Sequence, residues 1–580
     1  MASERLLLRA LLLLSLAAPG CRGAPPERPT PAPAAAASSA PARPSRVVLS
    51  IVGTNDLHGH ISALPWLGGY VANLRAARAA DGGVLLVDAG DMFQGTLESN
   101  LVEGASVVDG YNALGYAAAA VGNHEFDFGP EGEAATARTP ADDPRGALKA
   151  LAKRATFPFL CANLQDSTTH AHPAWPHMPK TALVEIAGVK VGLVGVSTEH
   201  TAQTTIAANF RGLEMAPLAK TTATEATALR ARGANVVVLL AHAGTKCHKF
   251  TGDAAADGCD MREEIVGVAE ALPRGAVDVI VAGHTHAAVA HRLAGVPVVE
   301  SYSYGRAFGR VDLVVERGAV TSATIHAPHD LCHGKPPAPD GADVGPCDAG
   351  SYEGKPVLAD PRVKAAVLPG LAVAAKRRGE LLGPVVSSPI PRSYDHPSPL
   401  GDLFADLLRD ATRADVALMN GGGLRASVPA GPLTYGALFE AFPFDNRIAR
   451  VKMTGKELRG LLTRHVRGAH GGILSVSGVR VVARCKQGKL DVDVTRDSGK
   501  PLGDTDELVV AMSDFLATGG DSLLVKAEHE GRTTIDETLA RDAMVAELAK
   551  RRTLDPATFY DAARPRIALP DGRRPARCGH

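Results

Sequence analysis

The chain has 580 residues, more than one hydrophobic core usually serves, so its length predicts two domains. Lysine and arginine together number 62, as do aspartate and glutamate, which gives a formal net charge of zero. This balance argues against a bulk electrostatic attraction to nucleic acid, although a local basic patch is compatible with it.

The first 21 residues contain an apolar run, LLLRALLLLSLAA, that is too short to span a bilayer and ends in small residues. This pattern predicts a signal segment over residues 1–21 and an exported protein, periplasmic or on the outer cell surface. Cys21 is a candidate lipid anchor because the stretch before it resembles a bacterial lipobox, although Pro19 fits imperfectly. Ordinary signal-peptidase cleavage nearby is the alternative. The Pro/Ala-rich residues 22–45 are predicted to form an extended tether.

From Arg46 onward, short apolar strands alternate with helical stretches, which predicts an α/β fold with strands covered on both faces. A Gly/Pro/Asp-rich stretch near 333–356 interrupts this alternation, and a helical stretch broken at Pro369 and Gly370 follows it. The predicted divisions are a first domain at 46–350, a connector at 351–385, a second domain at 386–570 and a tail at 571–580.

Nearly every predicted strand of the first domain ends in Asp, Asn or His, and ligands in α/β folds gather outside the carboxyl ends of strands. In chain order, the candidate ligands are Asp56, His58, Asp91, Asn123, His242, His284 and His286. Asp56 and His58 are two residues apart, as are His284 and His286. On an extended chain this spacing directs both side chains of a pair the same way.

Oxygen and imidazole donors without cysteine suit two divalent transition ions, and they do not distinguish Zn, Mn, Co and Fe. Asp91 is the candidate for a carboxylate shared between ions about 3.5–4 Å apart. Any one of these residues alone is more typical of a turn or a helix cap. The recurrence of such residues at successive strand ends favours the metal site.

In the second domain, three glycines after Asn420 allow the backbone to approach a ligand, and Arg425 can bind an anionic or hydroxylated group. An ordinary glycine-rich turn explains this motif equally well. Phe444 and Phe515 lie beside polar loops and are candidates for a stacking pair, with core packing as the simpler alternative.

Eight cysteines are present, and seven of them follow Cys21, so at least one is unpaired within the chain. Two pairs flank short polar loops and are predicted disulfides: Cys247 with Cys259, and Cys332 with Cys347. A metal site at the first pair, helped by His248, is the weaker alternative. The sequence leaves open the pairing of Cys161, Cys485 and Cys578.

Five ordered blocks of these residues resemble the calcineurin-like metallophosphoesterases, and the motifs TNDLHGH and Y-x4-VGNHEFD resemble the 5′-nucleotidase family over about residues 46–570. The resemblance implies an N-terminal metallophosphoesterase β-sandwich flanked by helices. It also implies a connector helix and a C-terminal α/β substrate-recognition domain that rotates to carry substrate to the metals.

The resemblance also implies specific roles. One ion is expected to be held by Asp56, His58, Asp91 and His286, and the second by Asp91, Asn123, His242 and His284. His286 stands where some members carry Gln, and either side chain is a competent ligand. His124 is expected to stabilise the transition state or the leaving oxygen, and Asp127 to orient its imidazole.

Blocks of the second domain, NGGGLR, AFPFDNRIARVKMTGKEL and SDFLATGGD, resemble the family's nucleotide-recognition segments. Matched by position, the expected substrate-binding residues are Asn420, Arg425, Phe444, Asn446, Phe515 and Asp521. Phe444 and Phe515 are expected to sandwich the base, and Asp521 to bind the ribose hydroxyls. An arginine that animal members carry before Gly401 is missing, and Arg392 is its candidate replacement.

We therefore expect an exported, lipid-anchored two-metal phosphoesterase that hydrolyses nucleoside 5′-monophosphates by metal-hydroxide attack on phosphorus. UDP-sugars or related nucleotides are further candidate substrates. The alternatives are a 2′,3′-cyclic nucleotide phosphodiesterase, a thiosulfohydrolase-like enzyme on the same scaffold, and a non-catalytic lipoprotein that binds nucleotides or metals. No nucleic acid polymer is expected as a partner, and the oligomeric state and base preference stay open.

Overall fold

The computed structural model describes residues 46–132, 134–250, 258–335, 337–468, 472–524, 529, 531–570 and 578. The expected signal segment, the lipid anchor at Cys21, the tether and nearly all of the expected tail lie outside the described residues. Within the described ranges, no helix has both the length and the apolar character needed to cross a membrane.

Most strands of the first region belong to two six-stranded sheets, with the orders β14-β13-β1-β2-β3-β4 and β11-β12-β10-β9-β7-β6. In chain order these strands are β1 (Arg46–Thr54), β2 (Gly82–Asp88), β3 (Ala118–Ala120), β4 (Phe159–Leu160), β5 (Leu164–Asp166), β6 (Thr181–Ile186), β7 (Val189–Ser197), β8 (Leu213–Met215), β9 (Val236–His242), β10 (Val279–Ala282), β11 (Ala288–Leu293), β12 (Val296–Ser301), β13 (Ala307–Glu316) and β14 (Ala319–Asp330). β5 and β8 pair separately.

The two large sheets pack face to face, because Leu49 and Ile51 of one and Leu193 and Leu240 of the other share one buried core. Helices cover the outer faces, so the strands are apolar on both sides. The helices of this region are α1 (Leu64–Arg78), α2 (Leu97–Asn100), α3 (Ala105–Leu114), α4 (Gly146–Arg154), α5 (Thr201–Thr204), α6 (Ala207–Phe210), α7 (Leu218–Ala231) and α8 (Glu264–Ala271). The expected β-sandwich flanked by helices is confirmed.

The strands that carry the candidate ligands run parallel to their neighbours. β1 pairs in parallel with β2, with Thr54 opposite Asp88, and β2 pairs in parallel with β3. In the other sheet, β9 lies parallel to both β7 and β10. Parallel strands end at the same edge of a sheet, so the polar residues that follow them are brought together there.

Helix α9 (Pro361–Arg378) joins the two regions and follows two short hairpins, β15 (Pro339–Asp340) with β16 (Asp343–Val344) and β17 (Ser351–Tyr352) with β18 (Lys355–Pro356). The Asp360 side chain caps its first turn by accepting from the backbone N–H of Arg362 at 2.8 Å. The interruption expected at Pro369 and Gly370 is wrong, because the helix continues through both. Gly370 allows a close approach, since a Cβ there would lie 2.7 Å from that of Ser106.

The second region has a five-stranded sheet of order β23-β20-β26-β22-β27 and two three-stranded sheets, β21-β19-β28 and β25-β24-β29. Its strands are β19 (Leu381–Val386), β20 (Val416–Asn420), β21 (Gly431–Thr434), β22 (Arg447–Thr454), β23 (Leu474–Ser477), β24 (Val479–Lys486), β25 (Lys489–Arg496), β26 (Glu507–Ser513), β27 (Thr533–Leu539), β28 (Thr553–Leu554) and β29 (Ile567–Ala568). Its helices are α10 (Pro399–Thr412), α11 (Tyr435–Ala441), α12 (Gly455–Arg467), α13 (Asp514–Ala517) and α14 (Ala540–Leu548).

The two regions are in direct contact. Leu97 of α2 packs into the hydrophobic cluster of the second region. The neighbouring Glu98 is buried and pairs with Arg378 at the end of α9, with Arg378 Nη2 2.6 Å from Glu98 Oε2. These contacts hold the second region over the edge of the first region where the candidate ligands gather.

Three disulfides are present among the described residues. Both predicted pairs, Cys247–Cys259 and Cys332–Cys347, are confirmed. The third joins Cys485 to Cys578 across a sequence separation of 93, and Cys161 is a buried free thiol. The metal alternative at Cys247 is wrong, because its sulfur is bonded to that of Cys259.

Replacing both Cys485 and Cys578 with Ser should lower the free energy of unfolding by about 2–4 kcal/mol, because a long closed loop in the unfolded chain is released. Denaturant unfolding followed by circular dichroism measures the effect. The matched control replaces Cys332 and Cys347, whose separation is 15, and should lose less. A larger loss in the control would show that loop closure is not the origin of the stabilisation.

Candidate functional site

The structure brings all seven candidate ligands to one edge of the two sheets. In each of two groups, one donor atom per residue lies within 4.8 Å of the others. The first group is Asp56, His58 and His286, and the second is Asp91, His242 and His284. Asn123 joins the second group, with its Oδ1 3.0 Å from Nε2 of His242.

Asp91 lies between the two groups. Its Oδ2 is 3.1 Å from Nε2 of His242 in the second group and 3.7 Å from Nε2 of His58 in the first. Its other oxygen, Oδ1, accepts the backbone N–H of His124 at 2.9 Å. A carboxylate oxygen in this position would be available to both ions of a two-metal site.

Backbone carbonyls orient several candidate ligand side chains by accepting hydrogen bonds from the nitrogen atoms that face away from the cluster. His58 donates from Nδ1 to the carbonyl of Gln94 at 2.7 Å, and His242 donates from Nδ1 to that of Ala89 at 2.9 Å. Each imidazole therefore turns its Nε2 toward the cluster. Asn123 donates to the carbonyl of Thr204 at 3.0 Å, which turns its Oδ1 the same way. Sequence reasoning missed these partners because backbone carbonyls carry no residue-type signal.

Asp56 is fully buried and has one oxygen available for a cation. Its Oδ2 accepts from Asn55 Nδ2 at 2.7 Å and from the backbone N–H of His284 at 2.9 Å. Among the described residues, Oδ1 has no hydrogen-bond partner, although it lies 3.3 Å from Nε2 of His286. An orphaned buried carboxylate oxygen facing imidazoles fits a divalent ion.

The pKa values show how strongly these groups depend on each other's charge. Burial raises the pKa of Asp56, but the imidazoles of His286 and His242 outweigh it and lower that pKa below its ordinary value. Burial lowers the pKa of His242, yet the Asp91 carboxylate reverses this and raises it to about 10. Positive charge is therefore needed beside these carboxylates, and a bound cation supplies it.

Five of the candidate ligands have a left-handed backbone, which costs non-glycine residues about 1–2 kcal/mol each. The φ angles are 50° at Asp56, 48° at His58, 58° at Asp91, 78° at His284 and 56° at His286. The extended conformation assumed from the two-residue spacing is therefore wrong. Tight turns after the strands direct these side chains inward, and such strain is concentrated at functional sites.

His124 and Asp127 form the pair expected from the sequence, with His124 Nδ1 2.5 Å from Asp127 Oδ2. The other oxygen of Asp127 accepts from the hydroxyl of Thr205 at 2.8 Å, a partner that the sequence did not indicate. Burial lowers the pKa of His124, but the carboxylates of Asp127 and Asp91 outweigh it and raise that pKa above its ordinary value. Glu125 accepts the backbone N–H groups of Asp91, Met92 and Gly122 and so supports the ligand turn.

Two residues of the second region reach this cluster. Arg425 Nη2 lies 3.5 Å from Nε2 of His58. The ring of Phe444 lies 5.6 Å from that of His124 and 5.5 Å from the Arg425 guanidinium carbon. A cation and an aromatic face therefore stand directly beside the candidate ligands.

The other candidate substrate residues lie on neighbouring loops of the second region. Asn420 donates to Asp521 Oδ2 at 2.8 Å, and Asn446 is buried. The half-buried ring of Phe515 lies against Gly520, where a Cβ would come within 2.5 Å of it. In the described part of the chain, no ring contact joins Phe515 to Phe444. Arg392 donates to the carbonyl of Leu424 at 3.0 Å, next to Arg425.

A helix-flanked β-sandwich with two groups of His and Asp ligands at one edge defines a dimetal phosphoesterase. Residues 49–288 match the family model of calcineurin-like phosphoesterases, and residues 379–528 match the C-terminal domain of 5′-nucleotidases. The chain belongs to the 5′-nucleotidase family. It is a metal-dependent phosphoric ester hydrolase that uses two divalent ions, so the alternative of a non-catalytic binding lipoprotein is set aside.

Individual relatives agree with this assignment. Endonuclease YhcR of Bacillus subtilis is 28% identical over 495 residues, which cover 81% of this chain and 37% of that protein. Protein UshA of Yersinia enterocolitica is 26% identical over 514 residues, which cover 82% of this chain and 86% of that protein. The crystal structure of a 5′-nucleotidase precursor from Thermus thermophilus shares the fold, with a TM-score of 0.69 at 24% identity over 90% of this chain and 99% of that one.

Replacing Asp91 with Ala should reduce the metal content to at most one ion per chain and abolish metal-dependent turnover, because both groups lose the carboxylate between them. Elemental analysis of the dialysed protein measures the metal content. The matched control is Asp278→Ala, which removes a partly buried aspartate that pairs with Arg230 at the opposite end of β10. Two ions retained in Asp91→Ala would contradict the shared position.

Replacing Asp127 with Asn should lower the pKa of His124, because the neutral amide no longer stabilises the imidazolium. If the protonated imidazole is the active form, the alkaline limb of the kcat profile moves to lower pH, and kcat falls about 10–100-fold. Thr205→Val should produce a smaller shift in the same direction, since Asp127 is then held less firmly. An unchanged alkaline limb in both variants would exclude His124 as the titrating group.

Proposed function

We propose that the protein hydrolyses nucleoside 5′-monophosphates, with UDP-sugars or related nucleotides as further substrates of the same site. The observation that carries this proposal is the contact between the two regions. Arg425 lies 3.5 Å from His58, and the ring of Phe444 lies 5.6 Å from that of His124. A guanidinium and an aromatic face beside the candidate ligands suit a phosphate that is attached to a nucleoside.

In this proposal the ligand sets are Asp56, His58, Asp91 and His286 for one ion, and Asp91, Asn123, His242 and His284 for the other. When bound, the two divalent ions supply the charge that acidifies a water molecule and neutralises the phosphate oxygens. The donor set accepts Zn, Mn, Co or Fe.

Side chains of the protein are also proposed to act on the phosphate. Because Nδ1 of His124 is bonded to Asp127, Nε2 is the ring atom that donates to a phosphoryl oxygen or protonates the leaving oxygen. The forked guanidinium of Arg425 binds the remaining phosphate oxygens and compensates the charge that develops on them.

The nucleoside is proposed to bind in the second region. Phe444 and Phe515 are proposed to stack on the base from two sides. Asp521 binds the ribose hydroxyls, with Asn420 holding its carboxylate at 2.8 Å. Asn446 is proposed to contact the substrate beside Phe444.

The proposed domain organisation is a metal-binding domain at 46–350, a connector at 351–385 and a substrate-recognition domain at 386–570. Export is proposed because three disulfides occur in the described residues, and disulfides persist in oxidising compartments. Lipid anchoring at Cys21 is part of the same proposal.

The alternatives are a 2′,3′-cyclic nucleotide phosphodiesterase and a thiosulfohydrolase-like enzyme on the same scaffold. The aromatic face of Phe444 beside the phosphate position favours a substrate with a nucleobase over a thiosulfonate. Because one relative is named as an endonuclease, a polynucleotide is also a necessary comparison substrate.

The direct test offers AMP, UDP-glucose, 2′,3′-cyclic AMP, a thiosulfonate, single-stranded DNA and the base-free ester ribose 5-phosphate to the purified protein with Mn²⁺, Zn²⁺ or Co²⁺. AMP should have the highest kcat/KM, and a chelator should abolish its turnover. Phe444→Ala should lower kcat/KM for AMP about 10–100-fold, the scale of one base-stacking contact.

In the same variant, turnover of ribose 5-phosphate should change by no more than about twofold, because this ester has no aromatic group to stack on Phe444. The matched control is Phe559→Ala, which removes a half-buried ring from the same hydrophobic cluster. If the cyclic nucleotide, the thiosulfonate or DNA has the highest kcat/KM, the proposal is wrong and that compound becomes the proposed substrate.

A further inference from the structure

Gln94 is in contact with both halves of the site. It lies three residues after Asp91, on the loop that leads into α2, and is only 2% exposed. Its backbone carbonyl accepts from Nδ1 of His58 at 2.7 Å, and its side-chain Nε2 donates to the carbonyl of Pro443 at 3.1 Å. One residue thus orients a candidate metal ligand and also holds the peptide that precedes Phe444.

The orientation of the Gln94 amide is defined by its acceptor. The Pro443 carbonyl can only accept, so exchanging the amide oxygen and nitrogen would place two acceptors against each other. The same carbonyl receives a longer second bond, 3.3 Å, from Asn100 Nδ2. Asn100 is itself fixed, because its Oδ1 accepts the backbone N–H of Gly95 at 3.0 Å.

The loop around Phe444 is also held from its other side. Arg541 is 4% exposed, and its Nη1 donates to the carbonyls of Phe442 at 3.3 Å and Phe444 at 3.1 Å. Arg541 also pairs with the Asp445 carboxylate. The Pro443 carbonyl, in contrast, is held by residues of the first region. The position of the Phe444 ring over the cluster is therefore set jointly by Arg541 and by Gln94.

The segment that carries Gln94 is held by further hydrogen bonds. The hydroxyl of Ser99 donates to the carbonyl of Phe93 at 2.6 Å, and the hydroxyl of Thr96 donates to that of Gly59 at 2.7 Å. Gly59 directly follows His58, so these bonds join the ligand turn to the Gln94 loop without using the Gln94 side chain. We therefore expect the ligand turn to stay in place when the Gln94 side chain no longer reaches Pro443.

We infer that Gln94 is a positioning residue that fixes the distance between the metal-bound phosphate and the aromatic face of Phe444, so that it determines selectivity for esters carrying a base at that distance. This inference rests on the proposed function, since it assigns the base to Phe444. Its physical basis is independent of the base: a buried hydrogen bond crosses from the ligand loop to the Phe444 loop.

The test compares the full chain with Gln94→Met, which keeps the length of the side chain and removes its donor while leaving the backbone carbonyl for His58. We expect kcat/KM for AMP to fall about tenfold, the scale of one buried hydrogen bond. The metal content should stay unchanged, and turnover of ribose 5-phosphate should fall by less than that of AMP. Asn100→Asp, which keeps the acceptor for Gly95 and removes the second donor to Pro443, should have a smaller effect of the same kind.

Hydrogen exchange gives a readout that needs no substrate. The backbone amides of residue 442 and of residues 444–446 should exchange about tenfold faster in Gln94→Met than in the parent chain. The matched control is Gln165→Met, at a half-buried position on β5, where exchange at these amides should not change.

Equal losses on AMP and ribose 5-phosphate would overturn the inference, because Gln94 would then act only through the metal ligands. Unchanged exchange at these amides in Gln94→Met would overturn it as well. If the parent chain hydrolyses ribose 5-phosphate but no nucleotide, the proposed substrate class fails, and the exchange measurement still decides whether Gln94 positions the Phe444 loop.

Discussion

The buried carboxylate of Asp91, with one oxygen between two groups of imidazoles, is the interaction on which the rest of the site depends. Burying this group beside a second carboxylate, Asp56, is unfavourable unless positive charge compensates it. Bound cations meet that requirement, and protonation of His242 meets it in their absence. The strained left-handed turns follow from the same constraint, because only sharp turns direct donors from several strand ends toward one point.

The surrounding architecture provides the rigidity that such a site needs. The ligands follow strands that are buried on both faces, and backbone carbonyls of Ala89 and Gln94 fix the rings of His242 and His58. The proposed substrate selectivity has a separate origin, in a region that packs against this edge through Leu97 and Glu98. Gln94 contacts both parts, which is why we propose that a single side chain links the position of the phosphate to that of the base.

The β-sandwich and the position of the candidate ligands were predictable because the residues at the strand ends follow a recognisable pattern. Short apolar runs that end in Asp, Asn or His identify both the sandwich and its reactive edge. Local spacing was less reliable: the two-residue interval between His284 and His286 indicated an extended chain, whereas both residues occupy left-handed turns. Helix α9 likewise continues through Pro369, because its packing against α2 and α3 outweighs the local preference to break.

By itself, the sequence determined the fold class, the set of ligand-type residues and the pairing of His124 with Asp127, since each depends on residue type and short separations. Only the tertiary structure decided which oxygen of Asp91 faces both groups, which carbonyls orient the imidazoles, and that Cys485 pairs with Cys578. It alone also brought Arg425 and Phe444 beside His58 and His124. These are contacts between residues far apart in the chain or with backbone atoms, and neither leaves a periodic or local pattern in the sequence.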